Sequence, residues 1–191
     1  MKRSYYLLLI GILVALYFYR SKLKIKRLYL SKVKDWKKRT SPIEDITIHH
    51  GASSFNVDWR NEWPKLHSNK WGFGIAYHYI IDDKGDIFQV NGDDKKTYHN
   101  GYNNDKAISI CLVGNFENVQ PKAEQVDSLI KLCNYLKRKY SSIKYLMSHK
   151  EYANKTRCSG KYLSSDMIRK STNLKKRPIK KIAYLSSHSD N

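Results

Sequence analysis

The sequence predicts a mixed α/β fold, a central mixed β-sheet flanked by helices, preceded by an N-terminal transmembrane or signal-anchor helix. Three observations predict it. An uncharged apolar stretch lies close to the N-terminus, several short β-prone runs follow in the middle of the chain, and the most apolar of these is succeeded by a stripe of helical period. With 191 residues, 41% of them apolar, the chain is long enough for one packed domain with extensions. Few glycines (9) and prolines (4) beside many tyrosines (15) exclude a collagenous or wholly disordered chain.

The apolar stretch is SYYLLLIGILVALYFY at residues 4–19, between Lys2-Arg3 and a basic run that begins at Arg20. As a helix it reaches roughly 24 Å, short of a bilayer core of about 30 Å, but terminal tyrosines and snorkelling lysines extend the reach. Bulky Leu16, Tyr17, Phe18 and Tyr19 argue against signal cleavage. An uncleaved anchor over residues 1–20 is therefore expected, with a cleaved signal or a buried helix as alternatives. A membrane-anchored domain facing the periplasm or cell wall follows, although basic residues after the stretch favour the opposite orientation.

Residues 21–40 read as a basic juxtamembrane linker and residues 166–191 as a basic, mobile tail without period. The formal charge of +19 is concentrated there. Residues 1–39 hold twelve Lys/Arg against Asp35 alone, whereas residues 40–159 are nearly balanced. A nucleic-acid-binding domain would carry its basic stripe on the folded part, so that class is disfavoured. Anionic lipid or an anionic wall polymer are the partners expected for the flanks.

The domain is expected over residues 41–165. Ile46, Thr47 and Ile48 form a β-prone run ending in His49-His50-Gly51. AYHYIID (76–82) and DIFQV (86–90), separated by Asp83-Lys84-Gly85, read as a hairpin. KAISICLVGNF (106–116) suits a central strand buried on both faces. Pro121 opens a helix whose Val126, Leu129, Ile130, Cys133 and Leu136 share one face. Residues 56–68, with Trp59, Trp63 and Leu66, suggest a further helix interrupted near Pro64.

Of seven histidines, His149 is notable because Cys158 follows nine positions later in the loop-like SHKEYANKTRCSG. With His49 from a strand end, two imidazoles and a thiolate would form a tetrahedral metal site with one open position. Spacing alone does not separate such a site from satisfied core groups. His67 and His188 read as surface residues, His78 as a packing residue, and Cys111 and Cys133 as buried thiols.

Five stretches in collinear order carry more information: ITIHHGAS (46–53), GFGIAYHYIIDDKGDIFQ (72–89), YHNGYNNDKAISICLVGNF (98–116), the helix with Gln125, and SHKEYANKTRCSGKYL (148–163). Together they resemble the type 2 family of zinc-dependent N-acetylmuramoyl-L-alanine amidases, a superfamily that includes phage lysozyme-type amidases and peptidoglycan recognition proteins. The resemblance implies Zn2+ bound by His49, His149 and Cys158. It also implies Tyr77 beside the attacking water or substrate and Thr156 stabilising the oxyanion. His99 and Asn100 would lie in the groove for a muramyl peptide, with His50 as a neighbour.

The implied reaction is hydrolysis of the amide between N-acetylmuramic acid and L-alanine of peptidoglycan, in a phage endolysin or a wall-remodelling enzyme. The alternative is a non-catalytic peptidoglycan-binding module, a class that typically lacks the thiolate. Two departures from the family pattern stand out. Cys111 falls where some members carry a glutamate general base, and Cys158-Ser159-Gly160 replaces the usual Cys-Pro-Gly.

Overall fold

A computed structural model describes Tyr6 and residues 23–28, 30, 34–153 and 155–179. The strands are β1 (Ile25–Arg27), β2 (Asp45–His50), β3 (Tyr79–Ile81), β4 (Ile87–Gln89), β5 (Ala107–Leu112) and β6 (Tyr145–Ser148). The helices are α1 (Trp59–Trp71), α2 (Ala123–Lys139), α3 (His149–Tyr152) and α4 (Ser165–Thr172).

The strands form one sheet in the order β1-β4-β3-β5-β2-β6. β3 and β4 pair antiparallel, as expected for the hairpin, and every other neighbouring pair is parallel. Gly85 makes the hairpin turn at φ +80° against α2, where a Cβ would stand 2.7 Å from the Glu124 carbonyl oxygen. The reversal therefore requires glycine on two counts.

β2 and β5 lie side by side at the centre and every residue of both is buried. Their alternation assigns the two faces. Ile46, Ile48, Ile108 and Ile110 belong to the cluster that α2 covers with Leu129, Leu132, Cys133 and Leu136. Each large apolar side chain buried there contributes roughly 2 kcal/mol. The opposite face carries Thr47 against Ser109 and His49 against Cys111, and there Cys111 packs with Trp59 and Trp63 of α1. The same period of two that fills one core with isoleucine thus delivers polar groups to the other face.

Some expectations are corrected. Among the described residues no helix is long and apolar enough to cross a membrane, so the expected membrane-anchored domain facing the periplasm or cell wall is not supported; the apolar stretch over residues 4–19 lies outside the described residues apart from Tyr6. The linker expected over residues 21–40 contributes β1 to the sheet edge and Trp36 to the core, where Trp36 is 2% exposed and stacks on Phe73 at 4.3 Å. Arg39 donates to the backbone carbonyls of Asp93, Lys95, Asp105 and Ala107. The packed unit therefore begins before residue 41.

The expected mobile tail likewise contains α4, whose Ile168, Arg169 and Thr172 are buried. Arg177 pairs with Glu44 and Asp45. α1 runs through Pro64, and its buried side chains are Trp59, Trp63 and His67 rather than Leu66, which is 62% exposed. α2 starts at Ala123 after the Lys122 cap, so Pro121 precedes the helix.

Candidate active site

β2 and β6 are parallel neighbours in a register that sets Ile48 beside Ser148, so the next residues, His49 and His149, emerge together at the carboxyl ends of the two strands. Their ring centroids are 4.9 Å apart. Such strand ends are where α/β sheets commonly place ligands. His149 is also the first residue of α3. Glu151 accepts from the Ser148 backbone N–H at 2.8 Å and from its hydroxyl at 3.0 Å, which fixes the helix start. Arg169 of α4 grips that carboxylate through both terminal nitrogens at 3.0 Å.

Cys158 arrives on the loop after α3. The Lys150 N–H donates to the Cys158 carbonyl, the Lys150 ammonium donates to the Gly160 carbonyl at 2.7 Å, and the Cys158 N–H donates to Thr156 Oγ1 at 3.2 Å. The Cys158 Sγ then lies 3.5 Å from His49 Nδ1. One ligand atom from each of His49, His149 and Cys158 lies within 4.8 Å of the others, a group that could hold a metal ion.

The chemistry of these donors fits zinc. Burial, reinforced by the neighbouring His99, His149 and His50, drives the His49 pKa well below its ordinary value, and burial lowers that of His149. Both rings are therefore neutral at pH 7, the form that coordinates. Burial pushes the Cys158 thiol up to about 12, so a cation at the sulfur would be what makes it a thiolate.

Tyr77 stands beside this cluster just before β3, its ring 5.1 Å from that of His49. Two groups missed in the sequence hold it. Asn91 donates to the Tyr77 carbonyl at 2.6 Å, and the His67 ring packs 5.5 Å from the tyrosine ring. His67 is 8% exposed and accepts from the Ala76 N–H, so it is a buried support rather than a surface residue. Its signal was the spacing of four through Trp59, Trp63 and His67. Trp63 also packs against Gly51, where a Cβ would approach its ring to 2.4 Å. Burial, followed by the thiols of Cys111 and Cys158, raises the Tyr77 pKa well above its ordinary value, so the phenol keeps its proton.

The remaining expected residues divide. His50 lines the groove, but its Nδ1 accepts from the Phe116 N–H at 3.1 Å and so faces the loop after β5. Thr156 lines the groove directly. His99 lines it too, yet it is 6% exposed and turned onto His49. Asn100 is 4% exposed and its side chain is consumed internally, donating to Thr47 and accepting from the N–H groups of Tyr102 and Asn103. It shapes the loop that carries His99. The groove has a volume of about 550 Å³, with Lys70, Trp71, Tyr98, Glu117 and Arg157 among its walls. His78 packs in the interior as expected, between Ser109 and the Lys95 carbonyl.

Comparison with known proteins finds similarity in sequence and in fold. Residues 39–161 match the family model described as N-acetylmuramoyl-L-alanine amidase. The fold is similar to the N-acetylmuramoyl-L-alanine amidase LysC from Clostridium intestinale, with a TM-score of 0.73 and 27% identity over 81% of this chain and 100% of that one. It is also similar in fold to a Drosophila peptidoglycan recognition protein, PGRP-SD, with a TM-score of 0.69 and 21% identity over 81% and 98% of the two chains. In sequence, 54 residues are 33% identical to peptidoglycan-recognition protein SD of Drosophila simulans, a match spanning 28% of this chain and 29% of that relative.

Proposed function

Because the chain belongs to the N-acetylmuramoyl-L-alanine amidase family, a superfamily it shares with the peptidoglycan recognition proteins, we propose that it is a zinc amidase cleaving the bond between N-acetylmuramic acid and L-alanine in peptidoglycan. The observation that carries this reading is the convergence of His49, His149 and Cys158, the last two of which line an open groove. A purely recognising protein has no need of a thiolate donor beside two neutral imidazoles. Three protein ligands, rather than four, is the number that suits a catalytic site.

His49, His149 and Cys158 would hold the ion. Zinc in such a site supplies Lewis acidity and lowers the pKa of a coordinated water to about 7. The protein's own groups do the rest. The Tyr77 phenol, protonated at neutral pH, orients the attacking water or delivers a proton to the leaving amine. Thr156 accepts from the Cys158 N–H, which leaves its hydroxyl proton as a donor to the developing oxyanion, an interaction worth about 3 kcal/mol when matched to the transition state. Lys70 and Arg157 give the groove cationic walls suited to the carboxylates of a stem peptide. No carboxylate takes the place of a base on β5, where Cys111 is buried and its pKa is raised well above the usual thiol value. Tyr77, which keeps its proton, is thus suited to donate to the leaving amine and not to take a proton from the water.

The test uses the full chain, wild type beside Cys158→Ser. One zinc per chain and chelator-sensitive release of peptide from purified peptidoglycan, both lost in the variant, are the expected results. Muropeptide bound without cleavage by the zinc-loaded wild type would assign the protein to recognition instead, a reading favoured by the match to peptidoglycan-recognition protein SD.

A further inference from the structure

His49 makes two contacts that together decide where its proton sits. Its Nδ1 faces Cys158 Sγ at 3.5 Å, while its Nε2 faces His99 Nδ1 at 3.1 Å. The two histidine rings meet almost edge-on, at 87° with centroids 5.2 Å apart. Two nitrogens at this separation cannot both present lone pairs, so one of them donates. A neutral imidazole coordinates through its unprotonated nitrogen. The nitrogen of His49 on the side of Cys158 is Nδ1, so the proton belongs on Nε2 and His99 Nδ1 accepts it. The proton of His99 is then on its own Nε2, a buried nitrogen with no hydrogen-bond partner among the described residues.

We propose that His99 is a positioning residue that accepts the Nε2 proton of His49 and thereby presents the Nδ1 lone pair of His49 to a zinc ion shared with His149 and Cys158. This rests on the zinc reading of the site given above. It gives His99 a role behind the metal ligand in place of the groove contact that the family resemblance implies. The site is built for it. His99 is 6% exposed, and Asn104 anchors its loop by accepting from the backbone N–H groups of both His99 and Asn100. Among the described residues no other side chain is within hydrogen-bonding distance of the His99 ring nitrogens. Partners of this kind fix ring orientation and tautomer, and their loss typically weakens metal binding by about 10- to 100-fold.

The experiment measures zinc itself, without substrate. Zinc is titrated into the full chain in competition with a chromophoric chelator, for wild type, His99→Leu and His99→Asn, after circular dichroism has established that each variant is folded. Leucine removes the acceptor, whereas the Asn Oδ1 stands close to where Nδ1 stood. His99→Leu should bind zinc at least about tenfold more weakly, and His99→Asn should recover most of that loss. In the zinc-loaded wild type, long-range 1H–15N correlation spectra should show His49 protonated on Nε2. A His49 protonated on Nδ1, a His99→Leu variant with wild-type zinc affinity, or no recovery with asparagine would each overturn the proposal. Failure of the amidase reading is a separate result, since it would appear as zinc-loaded wild type releasing no peptide.

Discussion

The ion pair between Glu151 and Arg169 offers the sharpest test of how the site is held. Glu151 caps the start of α3, the helix whose first residue is His149, and both partners are sheltered, with side chains 13% and 7% exposed. Burial acts to raise the Glu151 pKa, but hydrogen bonds from Arg169 and Ser148 outweigh it and bring the value to about 2, against 4.5 for a free glutamate. A folded-state pKa below the unfolded value means stability that is fully present above pH 4.5 and lost as pH falls toward 2. A shift of that size corresponds to about 3 kcal/mol, in line with the cost of stripping one partner from a buried pair. Arg169→Leu should therefore destabilise the fold by about 3 kcal/mol at pH 7, with a penalty that shrinks as the pH approaches 2. Urea unfolding of wild type, Arg169→Leu, Glu151→Gln and the double variant at pH 7 and pH 2.5 measures the coupling. A coupling energy below about 0.5 kcal/mol at pH 7, the level of an exposed surface pair, or one independent of pH, would refute the reasoning.

Other outcomes can be checked in the same preparations. Tyr77→Phe should retain zinc while lowering peptide release by about 100-fold or more, since only a proton donor is removed; equal turnover would exclude the phenol from the reaction. Trp36→Ala should lower stability by about 3–5 kcal/mol, because it empties a core position stacked on Phe73. A melting temperature unchanged from wild type would show that the N-terminal segment does not pack on the domain in solution.

Much of the architecture was legible because local pattern reports burial. The hairpin declares itself by turn residues between two β-prone runs, the strand through Ile108 and Ile110 by a near-continuous apolar run, and the helix with Leu129, Cys133 and Leu136 by a period near 3.6. What misled was composition. Residues 25–27 and 37–39 are dominated by charge, yet β1 pairs with β4 through backbone groups, which are indifferent to side-chain identity, and Arg39 spends its charge on backbone carbonyls. Arg169 and Arg177 likewise read as tail charges, but they pair with Glu151, Glu44 and Asp45, carboxylates far away in sequence. Of the candidate site, the ordered motifs pointed to His49, His149 and Cys158. The inward turn of Asn100 and the burial of His67 were not visible, since a local motif does not say which side of a loop faces solvent.

The sequence by itself determined the residue types: two histidines at the ends of β-prone or cap-forming segments, a cysteine in a loop, a tyrosine entering a hairpin. Tertiary structure alone decided their meeting. The parallel register of β2 and β6 sets His49 beside His149, and the carbonyl contacts of Lys150 fold Cys158 back onto them. His99 completes the arrangement from 50 residues away, at His49 Nε2. A strand's period of two fixes which face a side chain takes, but only pairing with a neighbouring strand fixes what it faces.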